Sequence, residues 1–170
     1  HLIRLFMMAL DILEKGEIFV FGSNLAGHHM GGAARVAHMK FGAEWGVGVG
    51  LTGRSYAIPT MQGGVETIKP YVDEFIEFAK QHQDMQFLVT RIGCGIAGFK
   101  DEEIAPLFRM AIPVRNIYLP QKFYDIIIAP YLEHCFYYGK NIPEDCGAHV
   151  GHIEPRNVSL NYYNPLLISA

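Results

Sequence analysis

The sequence predicts an α/β fold in three layers, with helices covering both faces of a mostly parallel, mixed sheet. Three observations carry this expectation. Short β-branched and aromatic runs alternate with segments whose apolar residues fall at helical spacing. Two of the strand-like runs empty into glycine-bearing loops, residues 21–34 and 91–99, and each loop precedes a helix-like segment. The chain has 170 residues, half of them hydrophobic, enough for one substantial core and one main domain.

Glu17-Ile18-Phe19-Val20-Phe21 reads as a buried strand ending at Gly22. After the first loop, Ala33, Val36, Ala37, Lys40 and Phe41 share one helical face and Gly42 supplies the stop. Residues 46–54 carry glycine at nearly every second place and read as a loop with an edge strand at most. Ser55 to Pro59 is a second strand, closed by proline and the turn at Gln62-Gly63-Gly64. From Val65 to His82, Ile68, Val72, Phe75 and Ala79 form an apolar stripe, with Pro70 placed in the first turn, where a missing N–H does least harm. Gln86 to Thr90 is a third strand feeding the second loop; Asp101 is the expected N-cap of the next helix, with Pro106 near its start. Asn116 to Pro120 reads as a fourth strand. Beyond it the chain becomes rich in aromatic residues without clear periodicity.

A charged fraction of 18% and a formal net charge of -3 exclude the basic field that general nucleic-acid binding needs. Three cysteines at irregular spacing do not make a disulfide framework, so a reducing, cytoplasmic setting is expected. The apolar stretch from His1 to Leu13 is interrupted by Arg4 and Asp11 and lacks a small-residue cleavage site; Met7 or Met8 reads as a natural start. No apolar run approaches the roughly 20 residues of a membrane span, and no membrane partner is expected.

A strand that leads through a glycine turn into a helix leaves unpaired amides and the positive end of the helix dipole at one sheet edge, where a phosphate can sit. Two such turns side by side suit a diphosphate. The candidate ligand-binding residues are therefore Gly22, Ser23, Asn24, Gly31, Gly32 and Ala33 in the first loop. Gly93, Cys94, Gly95, Ile96, Ala97, Gly98 and Phe99 are the candidates in the second. The amides from Gly31 to Ala33 and from Gly95 to Gly98 are expected to hold the phosphates. Asn24 is a candidate to bond a ribose hydroxyl or, equally, to satisfy its own turn. His28 and His29 are candidates for acid–base work near neutral pH or plain polar loop residues. Arg54 and Arg91 are candidates to approach phosphate, or, for Arg91, to pair with a neighbouring acid.

Together the two loops resemble those of the macro domain, an α/β/α module that binds ADP-ribose. The resemblance rests on Asn24, His29, Gly31-Gly32 and Ala33-Ala34 in the first loop and Gly95-Ile96-Ala97-Gly98 in the second. Ile92-Gly93-Cys94-Gly95-Ile96 and Met39-Lys40-Phe41-Gly42 are similar to the branch containing terminal ADP-ribose glycohydrolases, and to a phage-associated bacterial family of the macro-like group. The resemblance implies a three-layer α/β/α macro-like domain with a mostly parallel mixed sheet and a C-terminal extension. Residues 1–16 would be an N-terminal segment, 17–123 the ADP-ribose-binding domain and 124–170 the extension. The implied partner is ADP-ribose or an ADP-ribosylated substrate, without a cofactor. If the linkage is hydrolysed, Asn24 would orient a water and His29 would act as base.

The catalytic lysine and aspartate of that branch are unmatched, their positions being Thr60 or Met61 and Ala97. An aspartate that reads adenine would lie upstream of the first strand, with Asp11 and Glu17 as candidates.

Other readings stand beside this one. Cys94, at a helix entrance, would have a depressed pKa and could serve a Cys–His hydrolase with His29; the resemblance implies instead a small, tightly packed loop residue, and that is the reading preferred. Cys135, Cys146, His149 and His152 offer zinc-type ligands, but their spacing is unlike common zinc modules and no metal site is predicted. A non-enzymatic interaction protein, forming a homo-oligomer through the aromatic extension, is the third reading.

Overall fold

The computed structural model describes residues 13–138, with side chains through residue 130. Its centre is a five-stranded sheet in the order β2-β3-β1-β4-β5. The strands are β1 (Glu17–Ser23), β2 (Gly50–Thr52), β3 (Ser55–Pro59), β4 (Gln86–Val89) and β5 (Ile117–Tyr118). All neighbouring pairs are parallel except β2 with β3. Helices α1 (Gly32–Lys40), α2 (Val65–Gln81), α3 (Asp101–Ile104) and α4 (Gln121–Tyr138) connect or follow them, with a 3-10 segment at Ala105–Ala111. Among the described residues no helix is long and apolar enough to cross a membrane.

Alternation along the strands divides the core into two. Ile18 and Val20 of β1, Tyr56 and Ile58 of β3, Phe87 and Val89 of β4 and Ile117 of β5 face one side. They pack there with α2, the 3-10 segment and the start of α4. Phe19, Phe21, Ala57, Leu88 and Tyr118 point the other way, onto Ala34, Ala37 and Phe41 of the α1 region. The sheet is therefore the middle of three layers.

Several boundaries move relative to the sequence expectation, each for a physical reason. Pro70 sits in the second turn of α2, not the first; it is exposed, and the Glu66 carbonyl that it leaves without a donor lies on the same solvent face. Asp101 is the first residue of α3 and not its cap, because its carboxylate is taken by Arg91 and Lys122. Lys100 holds the cap position, and its amide donates to the Glu103 carboxylate at 2.8 Å. The last strand shrinks to Ile117–Tyr118. Asn116 instead sends its amide to the carbonyls of Ala79, His82 and Met85, closing the end of α2. An expected boundary at 123/124 falls inside α4, whose Phe123, Tyr124, Ile127 and Ile128 belong to the main core.

Phe75 is fully buried where the α2 stripe meets the sheet, with Tyr56, Phe87 and Phe108 around its ring. Phe75→Ala should cost about 3–5 kcal/mol in a denaturant titration, since its rigid neighbours cannot close the void.

Candidate functional site

The loops leave the sheet at its most divergent point. From β1 the chain turns into α1 on one face; from β4 it runs into α3 and the 3-10 segment on the other. β1 and β4 are neighbours in parallel, in register from Glu17 opposite Gln86 to Val20 opposite Val89. Adjacent strands whose exits go to opposite faces open a crevice at their carboxyl ends. There the structure has a cavity of about 700 Å³ lined by both glycine loops, by Thr60 and Met61 after β3, and by Pro120 before α4.

The two loops touch. A Cβ placed on Gly31 would lie 3.0 Å from the Ile96 side chain, which also reaches over Gly32. Gly31 caps α1 in an extended conformation and offers no side-chain cap. The first amide of this turn to find a backbone acceptor is that of Arg35, on the Gly31 carbonyl, so those of Gly32, Ala33 and Ala34 have none among the described residues. In the second loop Cys94, Gly98 and Phe99 donate to Arg91, Gly95 and Gly93, whereas the amides of Gly95, Ile96 and Ala97 find no acceptor among the described residues. The expected Gly98 donor is thus already engaged, and Gly98 and Phe99 do not line the cavity.

The neutral polar side chains on the wall are turned inward. Ser23 donates to the Gly48 carbonyl, Thr60 to that of Ser23 and Thr90 to that of Val20. Asn24 bonds the backbone of His28 twice, the second of its two sequence readings. The first loop is braced from behind by residues 46–48. A Cβ on Gly27 would collide with the backbone of Gly46 and Val47, and one on Gly48 with the carbonyls of Asn24 and Leu25.

One charged cluster borders the cavity. Arg91 grips the buried Asp101 with two bonds, at 2.8 and 2.6 Å, and Lys122 reaches the same carboxylate at 3.2 Å. The Arg91 bonds hold the Asp101 carboxyl below its usual range, against the opposing effect of burial, and Lys122 adds to them. Two cations on one anion leave an excess positive charge at the rim. Cys94 is half-buried beside this carboxylate. Burial first, and Asp101 second, push its thiol up to about 12, the reverse of the depressed value expected at a helix entrance. The helix that follows has only four residues, and its first residue, Asp101, turns a carboxylate toward the thiol.

His29 does not reach the cavity. It is 2% exposed, packs edge-on against Phe21, and bonds the Glu44 carbonyl through Nε2 at 2.9 Å, while its Nδ1 has no partner among the described residues. His28, its neighbour, is exposed and lines the wall. Arg54 is held by the carbonyls of Leu13 and Glu14, and Glu17 is buried at the opposite end of β1, about 20 Å away by strand rise. Asp11, Cys135, Cys146, His149 and His152 lie outside the residues whose side chains are described; among the described residues no cluster could hold a metal ion.

Sequence reasoning missed Met30, Ala34, Thr90 and Pro120 as lining residues and treated Thr60 and Met61 only as replacements for a lysine. Met30, Met61 and Ile96 are all more than half exposed at the mouth. The strand-end position of Thr60 and Thr90 was the available signal. Comparison with protein-family models, curated proteins and solved structures returns no significant match to this chain.

Two outcomes follow from the charged cluster. Because the Asp101 carboxyl is held low, its contribution to stability is complete above the ordinary carboxylate pKa of about 3.9 and is lost as pH falls through the lowered value. Wild-type protein should therefore lose stability over that acid range more steeply than Asp101→Asn, as read by thermal unfolding against pH. Alkylation of Cys94 by iodoacetamide at pH 8, followed by peptide mass analysis, should be slower than that of an unperturbed thiol by on the order of a hundredfold or more.

Proposed function

We propose that the cavity binds ADP-ribose or a related nucleotide diphosphate, with the diphosphate between the first turn of α1 and the second glycine loop. One observation carries the reading: the acceptor-less amides of Gly32, Ala33 and Ala34 and those of Gly95, Ile96 and Ala97 belong to residues lining the same cavity. Such amides favour an anion whose oxygens only accept. The rim cluster of Arg91, Lys122 and Asp101 adds a net positive field. The volume suits a ligand larger than the diphosphate itself, since small-molecule sites run to roughly 300–1,000 Å³. The exposed side chains of Met30, Met61 and Ile96 suit its less polar parts. The resemblance of the two loops to the macro domain points to the same ligand class.

Binding is favoured over hydrolysis. The base expected at His29 is buried away from the wall, and the Cys94 thiol is held in its protonated form. That second fact argues against the Cys–His hydrolase.

Gly31→Asp tests the reading sharply. The extended backbone at Gly31 suits any residue, the exposed tip of Ile96 gives way to the new Cβ, and the carboxylate would cap α1, raising stability by a few tenths of a kcal/mol, while occupying the anion position. Calorimetry with ADP-ribose should show the dissociation constant rising at least about tenfold in a variant that melts no lower than wild type. An unchanged affinity, or no heat from wild-type protein at millimolar ADP-ribose, refutes the proposal.

A further inference from the structure

Three sulfur-bearing residues line the cavity: Met30, Met61 and Cys94. They are not equally open to chemistry. Cys94 is half-buried beside Asp101 with its thiol held in the protonated form, whereas oxidants attack the thiolate. A thioether does not ionise, so its lone pairs are available at any pH and its oxidation follows access to solvent. Met30 is 72% exposed and Met61 51%, and among the described residues neither sulfur accepts a hydrogen bond. The sulfurs open to an oxidant in this cavity are therefore those of the two methionines.

Their position gives such oxidation a consequence. Met30 comes two residues before Gly32, whose amide is the first of the open ones in the α1 turn, and Met61 follows Thr60 just past the end of β3. As thioethers the two side chains present soft, apolar surface at the mouth. A peroxide transfers one oxygen to the sulfur: the O–O bond breaks, the thioether is oxidised to the sulfoxide, and hydrogen peroxide is reduced to water. The new oxygen only accepts hydrogen bonds, as a phosphate oxygen does. It thus competes for the same amides while the apolar lip becomes polar.

Resting on the reading of the cavity as an anion site, we propose that Met30 and Met61 form a peroxide-sensitive modification site, whose conversion to sulfoxide lowers the affinity of the cavity for its ligand. A methionine sulfoxide reductase reverses the step with a dithiol, the oxygen leaving as water and the dithiol closing to a disulfide. The chain carries its own controls. Met39 and Met110, 67% and 54% exposed, do not line the cavity, and Met85 is partly buried against the core.

The full chain is treated with hydrogen peroxide and followed by peptide mass analysis. Met30 and Met61 should oxidise at least about fivefold faster than Met85. Calorimetry with ADP-ribose should then show the dissociation constant raised about tenfold, at an unchanged melting temperature because both side chains lie outside the core. Methionine sulfoxide reductase with dithiothreitol should restore the affinity, and dithiothreitol alone should not. In Met30→Leu/Met61→Leu, whatever its starting affinity, peroxide should change the constant by less than about twofold. Met39→Leu/Met110→Leu should respond as wild-type protein does.

Unchanged affinity with both methionines oxidised, an equal loss in Met30→Leu/Met61→Leu, recovery with dithiothreitol alone, or a loss that comes with a lowered melting temperature would overturn the proposal and leave the diphosphate reading intact. Failure of untreated wild-type protein to bind ADP-ribose would remove that reading and this proposal together.

Discussion

The parallel pairing of β1 with β4 is the constraint on which the rest of the molecule depends. It sets two carboxyl ends side by side, and the connections that follow must leave for opposite faces because α1 packs below the sheet and the 3-10 segment above it. The crevice is thus a product of topology before any ligand-facing residue is considered. Phe19 and Phe21 anchor one departure; Val89, Ile92 and Ile104 anchor the other. Loss of either packing layer would let the glycine loops drift apart and would separate the amides that line the cavity.

Inside that crevice the polar groups divide in two: hydroxyls and carboxamide bond the loops and strand ends, while main-chain amides of the lining residues are left open. Ser23, Thr60 and Thr90 each tie a strand end to a neighbouring backbone carbonyl, so the strand termini do not fray where the loops begin. The Arg91–Asp101 pair does the same for the second loop, linking its entrance to the start of α3. The cavity is thereby lined by residues whose main-chain amides are open, while the neutral polar side chains are engaged.

Much of the scaffold was legible in the sequence because it rests on local patterns. The 3.6-residue stripe through Ile68, Val72, Phe75 and Ala79 gave α2 nearly to the residue, and Ser55–Pro59 was bounded by its own proline. What escaped depends on contacts distant along the chain. Asn116 leaves its strand to cap a helix that ends some 35 residues earlier, and Asp101 gives up capping for Arg91. The site divides in the same way. Glycine spacing marked both loops, yet of two adjacent histidines only the packing of Phe21 and Trp45 decides which one turns inward. The reactive reading of Cys94 failed because burial raises its thiol, and the charge beside it is a carboxylate from the far end of its loop.

The glycines at 46 and 48 have a meaning opposite to their first impression. Alternating glycine suggests slack, but this stretch lies against the first loop so closely that neither Gly27 nor Gly48 has room for a methyl group. It behaves as a backing plate. Change there would reshape the mouth of the crevice from the rear, so substitutions well outside the lining would alter the cavity while every lining residue stays the same.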